Sequence, residues 1–280
     1  MKALSKSLIA AAILAGGAST ANASLLTFDD TSLGGDNIFE FDEMSISDVG
    51  GTSTITQTDT DGDGTLDGDT FIELGLTSAI RFNLNGAPLT DATTGLVTEY
   101  EILFDVNLAG DADATAVDVD ADTIPDFLLL TATFNNTSAI DVYYDTDLTT
   151  GLQGGATKIG EMTLGSGLCS VTVTVATGDE TGGCDINFEF TLLTTGLMSY
   201  NGTSLDLLPP NVSVQGNFDI NVDELDPGFE FIYPGGPGTS QVTGVSHDGT
   251  ARINVPEPGS LALIGIALLG VAGAARRKKA

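Results

Sequence analysis

Between residues 53 and 222 this chain is a succession of short segments in which apolar residues alternate with Thr, Ser or acids. They are 53–58 (STITQT), 99–108 (EYEILFDVNL), 126–134 (DFLLLTATF), 140–144 (IDVYY), 169–177 (CSVTVTVAT), 186–193 (INFEFTLL), 204–208 (SLDLL) and 212–222 (VSVQGNFDINV). Successive strand residues face opposite sides of a sheet, so this period of two marks strands with one buried and one wetted face. Thr, Val, Phe and Tyr also suit a pleated surface. Turn dipeptides separate the segments: Asn85-Gly86, Gly154-Gly155, Gly182-Gly183 and Asn201-Gly202. No amphipathic helical period interrupts them. The expected fold is all-β, an antiparallel β-sandwich over residues 24–232. A β-solenoid would need a short internal repeat, and none is found.

Both termini read as targeting segments. Lys2 and Lys6 precede an apolar run at 8–15 and an Ala21-Asn22-Ala23 cleavage site, so residues 1–23 form an N-terminal signal peptide and the mature chain starts at Ser24. Residues 233–254 begin with YPGGPG and read as a Gly/Pro-containing linker, with weak strand character from Thr239 to Val255. Residues 255–280 have three parts. Val255-Pro256-Glu257-Pro258 is stiff and extended, because each proline fixes its own φ and moves the preceding residue away from helix. Residues 261–275 are apolar, and Arg276, Arg277, Lys278 and Lys279 form a basic stop. The apolar run is somewhat shorter than the roughly 20 residues a span usually needs. Its cationic end suits a transmembrane helix whose C-terminus stays in the cytoplasm. These three parts, in this order, resemble the PEP-CTERM sorting signal. The resemblance implies export in a Gram-negative, exopolysaccharide-producing bacterium. It also implies membrane attachment through the C-terminal helix, processing by an exosortase near Pro256-Glu257-Pro258, and residence at the cell surface or in the extracellular matrix.

Charge narrows the partners. All but one of the 39 acidic residues lie between Ser24 and Val255, where the only bases are Arg81, Lys158 and Arg252. That surface repels nucleic acid and anionic membranes and attracts divalent cations. The acids are interleaved with apolar strands, which argues for a folded domain.

The acidic spacing repeats. Asp59, Asp61, Asp63 and Asp67 lie in DTDGDGTLD, and Asp118, Asp120, Asp122 and Asp126 in DVDADTIPD. Both read D-x-D-x-D-x-x-x-D. In calcium loops of this spacing, positions 1, 3 and 5 give side-chain oxygens, position 7 a backbone carbonyl, and position 9 a further ligand directly or through water. Thr65 and Ile124 occupy position 7, and Gly64 stands where the first loop must turn sharply. Asp69, Asp111 and Asp113 are additional candidates. Position 12 is Thr70 or Leu129, not Glu, and no helix flanks either loop, so neither is an EF-hand. They resemble the β-associated aspartate loops of thrombospondin type 3 modules, which implies calcium as the cofactor. Residues 39–51 (FEFDEMSISDVGG) and 56–75 (TQTDTDGDGTLDGDTFIELG) together resemble the N-terminal part of flocculation-associated PEP-CTERM proteins, which implies a role in aggregating cells with their exopolysaccharide.

Cys169 and Cys184 are the only cysteines. In an exported chain they predict a disulfide closing a loop of about 15 residues, for roughly 3 kcal/mol. A hairpin centred on 177–183 would instead set Cys169 opposite a residue near Thr191. The disulfide therefore requires an unusual register or a turn larger than 177–183.

Enzyme signatures are sparse. His247 is the only histidine, and its neighbours Ser246 and Asp248 in sequence do not make a catalytic triad. Zinc motifs that need two histidines are absent. The aromatics Phe39, Phe41, Tyr143, Tyr144, Phe229, Phe231 and Tyr233 could stack on sugars; most alternate along strands as core residues do, and Phe229, Phe231 and Tyr233, beside the linker, are the exposed candidates. The expected function is that of a non-enzymatic surface or matrix protein, calcium-stabilised and associated with exopolysaccharide in flocculation or biofilm. A lectin-like carbohydrate-binding module is the alternative, and a secreted glycan-active hydrolase, needing only two suitably spaced acids, a third.

Overall fold

The computed structural model describes residues 25–48, 53–65, 67–119, 126–148, 155–174, 180–208, 213–221 and 236–255. Among these the chain forms β1 (Leu26–Asp29), β2 (Ile38–Phe41), β3 (Glu43–Asp48), β4 (Ser53–Thr58), β5 (Asp69–Leu84), β6 (Ala87–Pro88), β7 (Glu101–Val117) and β8 (Phe127–Phe134). It continues with β9 (Ala139–Asp145), β10 (Thr157–Thr174), β11 (Glu180–Leu193), β12 (Met198–Tyr200), β13 (Thr203–Ser204), β14 (Ser213–Asn221) and β15 (Ser240–Asn254). Helix is confined to single turns such as Asp91–Thr94.

The expected all-β, antiparallel architecture is observed. The two layers of the expected sandwich, however, are joined along both edges into one closed sheet. β3 and β4 follow one another along β5 on one side and β15 on the other. β5 pairs onward with β7. β8 and β9 share the far edge of β7, and both pair with β10. β10 pairs with β11, β11 with β14, and β14 returns to β15. Closure leaves no free edge along this circuit, which removes the usual route to edge-to-edge aggregation.

The interior follows from the alternation. Phe71 and Ala79 of β5, Ile102, Phe104, Val106 and Leu108 of β7, Ile140 and Val142 of β9, and Ile186 and Phe188 of β11 are all buried. Each such side chain contributes about 1.5–3 kcal/mol relative to exposure. A cavity of about 50 Å³ remains between residues of β3, β5, β7, β8, β9, β10, β11 and β15. The barrel is thus a packed core, as expected for this circumference.

A small second sheet, in the order β13-β12-β1-β2, covers one end. Phe28 of β1 and Phe39 and Phe41 of β2 pack on Phe82 of β5, with ring centroids 5.8, 4.8 and 4.9 Å away. Phe28 also stacks on Tyr100, which stacks on Tyr144 at 4.8 Å. Such pairs add about 0.5–1.5 kcal/mol each beyond area burial. Met198 of β12 meets Ile102, Ile159, Leu193 and Met44 beneath the sheet.

The structure departs from the sequence expectations in three places. Ser240–Asn254, assigned to the linker, is β15, paired on both edges with β14 and with β3 and β4. Ala251, Ile253 and Val255 are buried, so the β domain extends to the first residue of the sorting segment rather than ending at 232. Residues 204–208, expected as a strand, form a 3-10 turn at Leu205–Leu207 after the two-residue β13. Finally, β10 and β11 pair Cys169 with Cys184 and Val173 with Glu180, which puts the hairpin turn N-terminal to the expected 177–183. The two cysteines therefore face each other and are joined by a disulfide. The signal peptide 1–23, the transmembrane segment and the aromatics Phe229, Phe231 and Tyr233 lie outside the described residues.

Candidate metal centre

The first aspartate loop connects β4 to β5, and the second connects β7 to β8. β5 and β7 are neighbours, with Asp69 opposite Ala112, so both loops leave the same end of the barrel. Asn254 and Val255, which run into the sorting segment, lie at the other end, where Ala251 of β15 faces Met44 of β3. A 15-residue strand rises about 50 Å, so β15 separates the loops from the sorting segment by most of the barrel's height.

In the first loop Asp59 is 4 % exposed, while Asp61 and Asp63 are exposed, and their carboxylates bring one oxygen each within 4.8 Å of one another. The backbone curls because each aspartate accepts from residues just ahead of it. Asp59 Oδ1 accepts from Gly62 N at 2.7 Å and Oδ2 from Gly64 N at 3.0 Å. Asp61 Oδ1 accepts from Asp63 N, and Asp63 Oδ1 from both Thr65 N and Thr65 Oγ1. Gly64 has φ +81°, a left-handed conformation that a side chain strains.

A distant segment completes the loop. Gly238 N donates to Asp59 Oδ2 at 2.7 Å, and Asp59 N donates to Thr239 O at 3.0 Å. Thr60 N donates to Asp69 Oδ1, tying the base of the loop to buried Asp69. A carboxylate offers about four acceptor positions, and three N–H groups occupy three of those on Asp59, which leaves room for a cation. Burial acts to raise the Asp59 pKa, but the N–H groups of Gly238, Gly62 and Gly64 outweigh it and hold the carboxyl below its usual range. No Lys or Arg forms an ion pair with Asp59, Asp61 or Asp63 among the described residues.

Asp67 is exposed and stands outside the three-carboxylate group. In the second loop Asp126 Oδ2 accepts from Val119 N at 2.8 Å and Asp126 N donates to Val117 O at 2.9 Å, closing the base of the loop. Asp118 is exposed. Asp120, Asp122 and Ile124 lie outside the described residues, as do Pro256, Glu257, Pro258, Arg276, Arg277, Lys278 and Lys279.

Sequence reasoning missed a second polar centre, beside the covered end. Asp30 is fully buried, and its carboxylate accepts from Asn37 N, Asn37 Nδ2 and the Tyr144 hydroxyl at 2.8, 3.0 and 3.0 Å. Asn37 Nδ2 also donates to Glu99 Oε2 at 3.1 Å. Burial, and then the hydrogen bond and charge of Asp30, push the Tyr144 phenol well above its usual range. An open cleft of about 410 Å³ lies against Asn37, Glu99, Tyr144 and Thr146. Nothing local marks Asp30, since its partners lie up to 114 residues away.

Fold and loops together define a closed antiparallel β-barrel with an acidic end. Comparison with known families places a PEP-CTERM protein-sorting motif at residues 254–278. The chain therefore carries the signal that directs export and membrane-associated sorting in Gram-negative bacteria and processing by an exosortase. No curated protein and no solved structure matches the chain.

Proposed function

We propose that this chain is a non-enzymatic surface or matrix protein that uses calcium to stabilise its acidic end and to bridge to acidic exopolysaccharide, promoting flocculation or biofilm cohesion. The observation carrying this reading is the three-carboxylate group of Asp59, Asp61 and Asp63, at the barrel end opposite Val255. Like charges held this closely repel one another unless a cation sits between them. Calcium takes six to eight hard oxygens, so a loop supplying only some of them leaves positions for water or for a carboxylate of another polymer. While the C-terminal segment is in the membrane, the opposite end is the one presented outward. The second loop, through Asp118, Asp120, Asp122, Ile124 and Asp126, would add a further cation at the same end.

The test is a thermal melt of the detergent-solubilised full chain in millimolar calcium and in chelator, for wild type and Asp61→Ala. A ligand at about a hundred times its dissociation constant adds roughly 2.7 kcal/mol. The expected result is a calcium-dependent rise of several degrees that shrinks in Asp61→Ala. A rise of equal size in the variant, or none in wild type, sinks the calcium reading. Sedimentation of the chain with an acidic polysaccharide, with and without calcium, then tests bridging. The cleft beside Asn37, Glu99 and Tyr144 favours a second reading, a lectin-like module. In that case, neutral sugars would bind saturably without calcium and Asn37→Ala would abolish the binding.

A further inference from the structure

Along the β7–β9 pair, Glu101 stands opposite Asp145. Residues directly opposite in an antiparallel pair share one face of the sheet, and like charges there are destabilising. Ile102 and Tyr144, which point into the barrel, are paired with each other in the next row. Glu101 and Asp145 therefore belong to the outer row. Even so, Asp145 is 1 % exposed. Its Oδ1 accepts from Asp147 N at 2.8 Å, whereas its Oδ2 is buried and has no hydrogen-bond partner.

A buried carboxylate oxygen without a donor, faced by a second carboxylate, is costly unless something positive lies between them. Among the described residues nothing of that kind is provided. Lys158 is committed to Asp141 and Glu161, Arg252 to Glu43, and no Lys or Arg pairs with Glu101 or Asp145 among the described residues. The same strand pair shows the contrast four rows further along. There Asp105 faces Asp141, and Lys158 neutralises Asp141 at 2.8 Å. There a lysine offsets one member of the acidic pair; at Glu101–Asp145 no Lys or Arg does so among the described residues.

We propose that Glu101 and Asp145 bind a divalent cation between β7 and β9, at a site separate from the Asp59–Asp63 loop. Two carboxylates with water completing the shell suit magnesium as well as calcium, since magnesium keeps several of its waters. Such an ion would fasten the end of β9 to the start of β7, beside the covered end of the barrel, and does not depend on the loop binding calcium.

The test uses the full chain with Asp61→Ala, Asp63→Ala, Asp120→Ala and Asp122→Ala as background, so that both aspartate loops are silent. Calcium and magnesium binding are measured by competition with a fluorescent chelator, alongside thermal melts in metal and in chelator. The expected result is one saturable cation per chain in the background, lost on adding either Glu101→Gln or Asp145→Asn. Glu101→Gln should also melt higher than its background in chelator, because it removes the repulsion, and should gain nothing from metal. Should Asp145→Asn fail to fold, the partly exposed and isosteric Glu101→Gln carries the test alone. A background chain that binds no cation overturns the proposal, as does binding that survives Glu101→Gln. A chelator melt raised by Glu101→Gln without any bound cation would reduce the pair to simple repulsion and equally overturn it.

Discussion

Removing the disulfide offers a quantitative test of the β10–β11 register. Cys169 and Cys184 are 15 residues apart and face each other across the two strands, at 6 and 4 % exposure. The double substitution Cys169→Ala/Cys184→Ala removes the cross-link without burying a hydroxyl. Closing a loop of about 15 residues restricts the unfolded chain by about 3 kcal/mol. For a domain of this size each kcal/mol shifts the midpoint by about 2–4 °C, so a fall of roughly 6–12 °C is expected. Circular dichroism melts of oxidised wild type, reduced wild type and the double variant measure it, with free thiols counted by a thiol reagent. Reduced wild type should melt close to the variant. A fall below about 2 °C, with the disulfide verified in wild type, would refute the reasoning. It would mean that the hairpin stays paired in the unfolded ensemble, so that the cross-link has little freedom left to remove.

Three further outcomes are expected. Gly64→Ala should destabilise the first loop by about 1 kcal/mol or more, because φ is +81° and a Cβ would stand 3.3 Å from Pro237; chemical denaturation reads this. Tyr144→Phe removes a donor from buried Asp30 and should cost about 1–3 kcal/mol, whereas Tyr143→Phe, whose hydroxyl reaches Asp141 only at 3.4 Å, should cost less. Asp105 has its pKa raised by burial and then by Asp141, so its protonated form is favoured on folding. That contribution is present below the ordinary carboxylate pKa of about 3.9 and is lost as pH rises through the raised value. Asp105→Asn should therefore be more stable than wild type at pH 7, by under about 1 kcal/mol, and should lose that advantage near pH 3; equal gains at both pH values would contradict the assignment.

Individual elements show why some of the fold was legible and some was not. β4 was delimited at Ser53–Thr58, and β8, β9 and β14 to within about two residues, because strand-favouring residues run between turn and loop signals there. β5 escaped because its polarity is mixed: Asp69, Glu73 and Thr77 are buried along with Phe71 and Ala79, while Ile72, Leu74 and Ile80 are exposed, so the alternation is disguised. β15 showed only weak strand character because SQVTGVSHDGTARIN has few apolar residues to alternate. It is a strand because β14 on one side and β3 and β4 on the other satisfy its backbone groups. The curl of the Asp59–Asp63 loop was legible, since Asx-type hydrogen bonds act over two to five residues. The contribution of Gly238 was not, since it arrives from 179 residues away.

The sequence by itself determined the properties that depend on neighbouring residues or on totals: the strand-forming segments, the excess negative charge, the curl of the first aspartate loop and the PEP-CTERM sorting motif. Tertiary structure alone decided which strands pair. It thereby decided that the sheet closes, which register sets the predicted Cys169–Cys184 pair face to face, that both aspartate loops leave one end while the sorting segment leaves the other, and that Glu101 is set against Asp145. The physical reason is that a period of two specifies which face of a strand is buried but not which strand lies beside it. Register is chosen by packing of the whole circuit, and every contact between distant residues follows from that choice.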